Sequence, residues 1–544
     1  MTARAHEQAA AQDFLALLRE QVRRYPDAPA LGMIGAAPMS FAELDARIAA
    51  VAKRLHDNGF LPGDRMLFSI RPCVDAVVLV FGTIAAGGTI DPGVGPELFA
   101  RRIDLVQPTW AATKSLLYLL GGPLHRAGRA LGLSLPAFGR LPVRHIHSGP
   151  RLPGTPYPSI PARKLLHLGK DAAFGKARPP RANPHATTAY PSTEKADIRA
   201  ATASAVANPA AEALIVFTSG TTAAPKAVVH TRGSLGAGLA AMAGRSTLGP
   251  GAHLHTEQLM MGLPALLSGA RWSLPRYPRF GTHIDPIGFA RTLDAATHAF
   301  FTPADLAVVL TALESGRLTA PAGLREVSLG GAPVTTALLR RARAALPGCE
   351  FLAICGMTEI LPVAITSGAA KLDFEGAGDP LGAPVTGVDA RIAGDGELIL
   401  SGPNLCRGYL GEAELTEIAT GDLARLDGGT LILMGRKKDM MIRGKTNIYP
   451  GLYEPAIATV AGVRQAIMVG VPDEIGDERI ILAVVADPGV TDIAARLRRE
   501  LPSLMDTSAL PDEIVVVEEI PVSGRTSKPD RAALRTRLGA ATAR

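Results

Sequence analysis

The sequence predicts a mixed α/β and β fold: a large N-terminal domain of layered α/β sheets with a small β subdomain, followed by a small C-terminal α+β domain. Three observations predict it. Short apolar runs typical of strands alternate with Ala- and Leu-rich stretches long enough for helices. Short alternating runs separated by Gly and Asp turns then fill residues 388–434. Finally, the 544 residues exceed what a single hydrophobic core usually organises.

The predicted N-terminal domain supplies the first elements in order. The first twenty residues mix charged and apolar positions in the pattern of an amphipathic helix and not of a signal peptide. The apolar run 76–90 contains glycines and is too short to span a bilayer, so it predicts a buried helix and turn and no transmembrane segment. Strands are predicted at the apolar runs 65–70, 212–217, 326–329 and 351–354.

Residues 151–208 differ from the rest of this domain. They are rich in Pro, Ala, Arg, Lys and Thr and have little periodicity, which predicts an extended connection.

The sequence pattern changes at residue 388 and again after residue 434. Within residues 388–434, the short strand-like runs GELILSG and GTLILMG are separated by Gly and Asp turns, which predicts a small antiparallel subdomain. The pattern after it predicts a compact α+β domain, with a helix at 492–501 and strands at 463–469, 480–485 and 513–517.

Composition narrows the class of protein. With 47% hydrophobic and 20% charged residues, the chain fits a globular protein and excludes wholesale disorder. The net charge is +7, but the basic residues are scattered, which does not favour a nucleic-acid partner. The four cysteines are too widely spaced for a zinc motif and fit a reducing compartment, so a cytoplasmic location is expected. The oligomeric state is left open.

The most informative stretch is FTSGTTAAPKAVVHT at 217–231, which follows an apolar strand and leads into an Ala-rich helix. Its hydroxyls, its glycine and Lys226 could surround phosphate oxygens. It is not a Walker loop, because the Gly-x4-Gly-Lys-Ser/Thr spacing is missing. Residue types alone leave two interpretations open: phosphate binding, or a plain polar turn between a strand and a helix.

The order of residues in this stretch resembles the phosphate loop of the adenylate-forming superfamily, which contains acyl-CoA synthetases, adenylation domains and luciferases. Ala223 and Ala227 stand where that family usually has glycine. The resemblance implies that the loop contacts the β- and γ-phosphates of ATP through Thr218, Ser219, Gly220, Thr221, Thr222 and Lys226.

Two further motifs follow predicted strands in the order of that family. The glycine-rich segment GGAP could approach a flat ring closely, and the resemblance implies that Gly331, Ala332 and Pro333 line an adenine pocket. In CGMTE, the resemblance assigns Thr358 to the α-phosphate region and Glu359 to Mg²⁺, a cation that prefers oxygen ligands.

Each of these assignments has an ordinary alternative. A Thr-Glu pair after a strand is by itself typical of a helix cap. Cys355 stands where the family usually has tyrosine, and we interpret it as a small packed side chain, because no base beside it in the sequence identifies a nucleophile.

The last motifs span the end of the chain. The resemblance assigns Asp422 and Arg436 to the two ribose hydroxyls, and Lys438 to a hinge about which a mobile C-terminal lid turns. It therefore implies an N-terminal adenylation domain at 1–438 and a C-terminal domain at 439–544. Lys528 matches the adenylation lysine of the family. Each of these residues has an ordinary explanation when it is considered alone. Asp422 could belong to a plain turn, Arg436 could be a surface arginine, and Lys528 could be a solvated lysine in a loop.

The resemblance implies a catalytic residue set of Lys528, Thr358 and Glu359, with ATP and Mg²⁺ as cofactors. The expected reaction activates a small-molecule carboxylic acid, fatty or otherwise apolar, to an acyl-AMP with release of pyrophosphate, and coenzyme A is the leading acceptor. The apolar stretch 253–267 could wall the acyl pocket, although core packing explains it equally well.

Three alternatives to thioester formation with coenzyme A stay open. The segments 91–95, 358–363 and 521–528 are similar to those of β-lactone synthetases of olefin pathways, in which the β-hydroxyl of the substrate attacks the adenylated carboxyl. A carrier-protein thiol could accept the acyl group instead. The third alternative is a non-catalytic nucleotide-binding homologue.

Overall fold

The structure is a computed structural model that describes residues 13–92, 99–130, 135–167, 208–218, 226–278, 284–443, 446–472, 478–523 and 528–542. The chain divides into two compact units. Unit 1 comprises Met1–His283, Thr358–Ile360 and Pro403–Leu415. Unit 2 comprises Ile284–Met357, Leu361–Gly402 and Thr416–Arg544.

The strands of the described residues are, in chain order, β1 Pro29–Met33, β2 Met39–Ser40, β3 Arg65–Ser69, β4 Thr89–Pro92, β5 Trp110–Lys114, β6 Arg144–Ser148, β7 Ser159–Pro161, β8 Glu212–Phe217, β9 Ala227–Thr231, β10 His253–His255, β11 Arg271–Leu274, β12 His298–Phe301, β13 Glu326–Leu329, β14 Glu350–Met357, β15 Ile360–Ser367, β16 Asp379–Gly382, β17 Asp389–Ile392, β18 Glu397–Ser401, β19 Gly408–Tyr409, β20 Ile418–Asp427, β21 Thr430–Arg436, β22 Met441–Arg443, β23 Thr446–Ile448, β24 Val463–Pro472, β25 Glu478–Ala486, β26 Glu513–Val516, β27 Val522–Ser523 and β28 Lys528–Pro529.

The α-helices of the same residues are α1 Phe14–Arg24, α2 Phe41–Asp57, α3 Val74–Ala85, α4 Phe99–Val106, α5 Ser115–Leu120, α6 His125–Ala130, α7 Ala162–Leu166, α8 Arg232–Ala243, α9 Leu259–Leu267, α10 Pro286–Ala290, α11 Pro303–Glu314, α12 Thr336–Ala345, α13 Gly368–Leu372, α14 Pro450–Ile457, α15 Ile493–Leu504 and α16 Arg531–Thr542. Short 3₁₀ helices lie at Phe138–Arg140, Leu293–Ala295, Lys437–Asp439 and Thr507–Ala509. None of these helices is both long and apolar enough to cross a membrane.

Unit 1 contains an eight-stranded sheet in the order β19-β9-β8-β4-β3-β5-β6-β7. The six strands from β8 to β7 run parallel, while β9 pairs antiparallel with β8 and β19 pairs antiparallel with β9. The predicted strands at 65–70 and 212–217 are confirmed as β3 and β8. Parallel strands end at the same edge of a sheet, so the loop after β8 lies at the edge where ligands of such sheets bind.

The buried helix and turn predicted at 76–90 are also confirmed. Helix α3 is apolar on all sides and buried along most of its length, and the chain then turns into β4. The described part of the predicted N-terminal helix is α1, which starts at Phe14.

The extended connection predicted at 151–208 is wrong for its first part. Residues Ser159–Pro161 form β7, which pairs with β6, and Ala162–Leu166 form α7. Leu165 and Leu166 are buried, and the Leu165 carbonyl accepts a hydrogen bond of 2.8 Å from the Arg54 guanidinium. Tertiary packing therefore orders a segment that lacks a periodic apolar pattern. Residues 168–207 lie outside the described residues.

Unit 2 begins with the parallel strands β12, β13 and β14, which confirm the strands predicted at 326–329 and 351–354. Helices α10, α11 and α12 cover these strands and share one apolar core with them. Each parallel strand supplies buried apolar side chains to this core, as is usual for parallel sheets covered by helices.

The predicted antiparallel subdomain is confirmed as a five-stranded sheet in the order β16-β21-β20-β18-β17. The runs GELILSG and GTLILMG form β18 and β21. The sheet extends beyond the predicted range, because β16 at Asp379–Gly382 joins its edge. The prediction is wrong for the middle of the range, because Pro403–Leu415 belong to unit 1, where β19 pairs with β9.

The C-terminal α+β elements are confirmed as well. Strands β24, β25 and β26 form a three-stranded sheet whose two faces carry separate apolar clusters. One cluster includes residues of α14 and α15, and the other includes Leu534 and Leu538 of α16. The domain boundary at residue 438 stays a prediction.

Candidate active site

The two ends of the predicted phosphate loop lie side by side in unit 1. Strands β8 and β9 form an antiparallel hairpin, and the Thr218 amide donates a 3.0 Å hydrogen bond to the Lys226 carbonyl. The Lys226 side chain is exposed. Ser219, Gly220, Thr221 and Thr222 lie outside the described residues, as does Ala223.

The loop is followed by a strand before the helix begins. Residues Ala227–Thr231 form β9, and Thr231 then caps α8 in a capping box with Ser234. Ala227 is buried opposite Phe217, in a cluster with Val106 and Val229. This position has strand conformation, and the alanine methyl contributes to the core.

Thr358 and Glu359 form the turn between β14 and β15, so the helix-cap interpretation is wrong. Glu359 is buried, and its carbonyl accepts a 2.7 Å hydrogen bond from the Cys406 amide. The next residue, Ile360, pairs with Leu405 in an isolated β-bridge. Within unit 1, the 403–410 segment therefore holds the main chain of the turn.

The sequence interpretation missed Tyr409, which contacts two of the predicted site residues. Its hydroxyl donates a 3.0 Å hydrogen bond to Glu359 Oε1. Its ring faces the Lys226 ammonium, whose nitrogen lies 4.1 Å from the ring centroid. The pKa of the Tyr409 hydroxyl is raised by burial and by the Glu359 carboxylate, so the hydroxyl remains a donor at neutral pH.

His230 is a second contact residue without an assigned role in the sequence interpretation. Its Nε2 lies 2.7 Å from the Thr358 carbonyl oxygen and its Nδ1 lies 3.3 Å from Ser234 Oγ. Burial lowers the pKa of the His230 imidazole, which is therefore neutral at pH 7 and donates from Nε2 to the carbonyl. His230 thus connects β9 to the Thr358 turn. His230 sits within the quoted 217–231 motif, whereas Tyr409 lies in none of the quoted motifs, and no local pattern marks the partners of either residue.

The predicted adenine segment, in unit 2, follows β13. Gly331 has φ of +82°, in the left-handed region that favours glycine. A Cβ added to Gly330 would lie 3.3 Å from the Ile354 carbonyl oxygen. The backbone therefore makes a tight turn after the strand, with Ala332 and Pro333 exposed or partly exposed beyond it.

Asp422 and Arg436 occupy paired positions on β20 and β21 of unit 2. The Arg436 Nε lies 2.9 Å from Asp422 Oδ1, and the arginine side chain is about half exposed. Burial raises the pKa of the Asp422 carboxyl, while the positive charges of Arg436 and Lys528 oppose that rise. The predicted ribose-binding pair is thus an ion pair with solvent-accessible hydrogen-bond donors.

Lys528 begins β28, in a two-stranded hairpin with β27, and its charge interacts with Arg436, Asp422 and Lys438 of the same unit. Partial loss of hydration and the neighbouring Arg436 guanidinium lower the pKa of the Lys528 ammonium. Lys438, the predicted hinge, lies in the 3₁₀ helix Lys437–Asp439. The structure therefore brings together the predicted adenylation lysine and the predicted ribose pair.

Arg531 holds the chain just after Lys528. Its guanidinium makes a bidentate contact with the Glu454 carboxylate, at 2.7 and 2.6 Å, and lies 3.3 Å from the Asp439 carboxylate. Bidentate pairs of this kind fix geometry as well as adding energy. The tail that carries Lys528 is thereby joined to α14 and to the residue after the predicted hinge.

Cys355 lies within β14 and carries no reactive thiolate. Burial and the nearby carboxylates of Asp379 and Asp422 raise the pKa of its thiol to about 12. The thiol is protonated at neutral pH and is not an activated nucleophile.

The residues of unit 1 suit a metal site in which most of the ligands of the cation come from the phosphates of a bound nucleotide. Among the described residues, no cluster of three or more His, Cys, Asp or Glu side chains could form a complete metal site. Glu359 offers one buried carboxylate. Mg²⁺ is commonly held by one or two carboxylates together with substrate phosphates, and this donor set fits that arrangement.

Comparison with known proteins agrees with these features. The family described as AMP-binding enzyme matches residues 18–410, and the AMP-binding enzyme C-terminal domain matches residues 453–526.

One similar curated protein is 3-[(3aS,4S,7aS)-7a-methyl-1,5-dioxo-octahydro-1H-inden-4-yl]propanoyl:CoA ligase from Rhodococcus jostii. It is 32% identical over 220 residues, which cover 38% of this chain and 42% of that protein. The chain therefore matches about two fifths of the length of this relative.

Solved structures are similar over nearly the whole chain. The amide bond synthetase McbA from Marinactinospora thermotolerans has a TM-score of 0.72 and 21% identity, covering 96% of this chain and 99% of that one. ATP-bound MatB from Rhodopseudomonas palustris has a TM-score of 0.70 and 21% identity, covering 97% of this chain and 99% of that one. These two likenesses concern the fold. Because the family profile covers more than half of the residues, the chain belongs to the AMP-binding enzyme family of the adenylate-forming superfamily.

Proposed function

We propose that this protein uses ATP to convert an apolar carboxylic acid, of the fatty acid class or a similar one, into an acyl-AMP, and then transfers the acyl group to coenzyme A. The observation that carries the proposal is the position of Lys528 beside the Asp422–Arg436 ion pair. These residues come from separate parts of the sequence, and their types match a transferred phosphoryl group and a ribose.

The first step is a phosphoryl substitution. A carboxylate oxygen attacks the α-phosphorus of ATP, the bond from that phosphorus to the bridging oxygen breaks, and pyrophosphate leaves with the bonding electrons. Negative charge then accumulates on the phosphoryl oxygens, where a fixed ammonium such as that of Lys528 lowers the barrier. We assign Thr358 to the α-phosphate as a hydrogen-bond donor. No covalent enzyme intermediate is required.

The remaining residues bind and orient the nucleotide. Lys226 and the hydroxyls of the 218–222 loop are assigned to the β- and γ-phosphates, and the segment Gly331, Ala332 and Pro333 to the adenine ring. Asp422 accepts from a ribose hydroxyl, while Arg436 donates to one. Magnesium held by Glu359 and the phosphates would supply further neutralisation of the triphosphate charge.

The acceptor of the acyl group distinguishes two candidate second steps. Thioester formation with coenzyme A is supported by the Rhodococcus jostii relative, which is described as a CoA ligase. Closure of a β-lactone by the substrate's own hydroxyl is the second candidate. It is supported by the segments 91–95, 358–363 and 521–528, which are similar to those of β-lactone synthetases.

The test is product analysis by mass spectrometry with fatty, β-hydroxy and aryl acids, ATP and Mg²⁺, with and without coenzyme A. We expect acid-dependent exchange of pyrophosphate into ATP and an acyl-CoA that forms only when coenzyme A is present. A β-lactone formed without coenzyme A would replace the thioester step. Absence of exchange with every acid, while ATP still binds, would indicate a nucleotide-binding homologue without this activity.

A further inference from the structure

Tyr409 connects two groups that the proposed function places on the triphosphate. It lies in unit 1, where its hydroxyl contacts Glu359 and its ring contacts Lys226. Tyr409 therefore touches both residues. Neither the phosphate-loop motif nor the Thr-Glu motif contains it.

The backbone around Tyr409 is held on both sides. The Arg407 amide donates a hydrogen bond of 2.8 Å to the Val229 carbonyl. The Leu410 amide donates one of the same length to the Ala227 carbonyl. Tyr409 itself pairs with Val228 in the β19–β9 ladder. Because β9 starts directly after Lys226, the ring has a set position relative to the lysine.

Two more contacts restrain the same segment. The Arg407 guanidinium lies 2.7 Å from the Glu212 carboxylate on β8, and Glu212 also pairs with Arg65 on β3. The Cys406 amide bonds the Glu359 carbonyl. The 406–410 segment thus holds the main chain of Glu359, while Tyr409 holds its side chain.

The two contacts of Tyr409 have different effects on Glu359 and on Lys226. A carboxylate that accepts a hydrogen bond at Oε1 is held in one rotamer and can present its other oxygen to a cation. The face of an aromatic ring attracts an ammonium without using the hydrogen-bond donors of that ammonium, so those donors remain available for phosphate oxygens.

We propose that Tyr409 is a positioning residue that orients the Glu359 carboxylate for the magnesium of Mg·ATP and holds the Lys226 ammonium toward the phosphates. This inference rests on the proposed function, because it assigns the metal role to Glu359. In this role Tyr409 acts through Glu359 and Lys226, so we assign it a positioning role and not a catalytic one.

The test separates the hydroxyl from the ring. Tyr409→Phe removes the hydrogen bond to Glu359 and keeps the ring beside Lys226, whereas Tyr409→Leu removes both. Mn²⁺ binding is measured by electron paramagnetic resonance in the presence of the α,β-methylene analogue of ATP, and binding of the same analogue without metal is measured by calorimetry. Neither measurement depends on turnover or on the identity of the acid.

For Tyr409→Phe we expect Mn²⁺ affinity in the nucleotide complex to fall about tenfold, as is typical when the partner of a metal-binding side chain is lost. Metal-free binding of the analogue should stay within a factor of about two. Tyr409→Leu should in addition weaken metal-free binding about two- to fivefold, since the cation–π contact is lost.

Tyr453→Phe is the matched control. Its hydroxyl donates to the Asp506 carboxylate at 2.8 Å, so the substitution removes a similar hydrogen bond in the C-terminal part of unit 2. It should leave both measurements unchanged. Thermal unfolding of all variants verifies that they are folded, and Tyr409→Leu serves as the second probe of the metal effect if Tyr409→Phe is unstable.

Glu359→Gln distinguishes the two proposals. If it weakens Mn²⁺ binding but Tyr409→Phe does not, the positioning role is overturned and the metal role of Glu359 stands. Equal losses in metal-free and metal-bound affinity for Tyr409→Phe would also overturn the positioning role, because they indicate a general structural effect. Unchanged Mn²⁺ affinity in Glu359→Gln would overturn the metal assignment and this inference with it.

Discussion

At the scale of single residues, the position of one lysine charge is the main determinant of the proposed first step. Lys528 lies among the charges of Arg436, Asp422 and Lys438, and its pKa is lowered by lost hydration and by the positive neighbours. A charge that is already placed where negative charge develops needs no reorganisation during the reaction. This arrangement leads to two predictions about Lys528.

Lys528→Ala should reduce acid-dependent pyrophosphate exchange about 10²- to 10³-fold, the usual loss when one stabilising group of a transition state is removed. ATP affinity should change little, because the proposed interaction strengthens only as charge develops. Exchange rates and equilibrium ATP binding are measured on the same preparation. Exchange at the wild-type rate would remove Lys528 from the proposed catalytic role.

The pH dependence of the exchange rate should also depend on Lys528. A lysine is charged below its pKa and loses the charge as pH rises through that value, so a lowered pKa moves the alkaline loss of activity below the pH of an ordinary lysine. Lys528→Arg keeps its charge over the accessible pH range. Its residual exchange rate should therefore lack the alkaline decline. The same decline in both proteins would assign it to another group.

At the scale of elements, some local sequence patterns predicted the secondary structure correctly and others left it ambiguous. The runs that predicted β18 and β21 were sufficient, because a short apolar stretch bounded by glycines is a local signature of a strand. The Thr358–Glu359 pair was ambiguous, because threonine and glutamate favour both helix caps and turns. Pairing of Ile360 with Leu405 and the hydrogen bond from Cys406 hold it as a turn.

The element that carries Tyr409 requires a glycine. Gly408 has φ of +147°, and a Cβ added there would lie 2.9 Å from the Ala413 carbonyl oxygen. Gly408→Ala should therefore lower the free energy of unfolding by about 1–3 kcal/mol. Denaturant unfolding followed by fluorescence and circular dichroism measures the loss.

Gly249→Ala is the control for this prediction. An added Cβ at Gly249 meets no heavy atom within 4 Å, and the residue is not among those with positive φ. Its effect should stay within about 0.5 kcal/mol. Equal effects of the two substitutions would show that the backbone at position 408 tolerates a side chain.

At the scale of the whole molecule, the proposed reaction has two stages that the predicted hinge would separate. Lys438 lies in a 3₁₀ helix between β21 and β22, next to Asp439, which contacts Arg531. Conformational steps of this kind depend on a few residues that absorb changes in φ and ψ.

Lys438→Pro should slow acyl transfer to coenzyme A more than it slows acyl-AMP formation, because proline fixes φ and resists the second conformation. Lys438→Ala removes the same charge and keeps the backbone free, so it serves as the control. Rapid-quench measurements with both variants give the two rates separately. Equal losses in both steps, or similar losses in both variants, would argue against a hinge at this residue.

The succession of strands and helices, the antiparallel subdomain and the family could all be predicted from the sequence, because apolar periodicity and motif order are local properties. Which side chains meet could be learned only from the folded chain. Tyr409 contacts a carboxylate 50 positions away, and Lys528 interacts with an ion pair on β20 and β21. Such contacts depend on pairing between distant strands, and no local pattern records it. For the same physical reason, packing against neighbouring elements, and not composition, ordered β7 and α7.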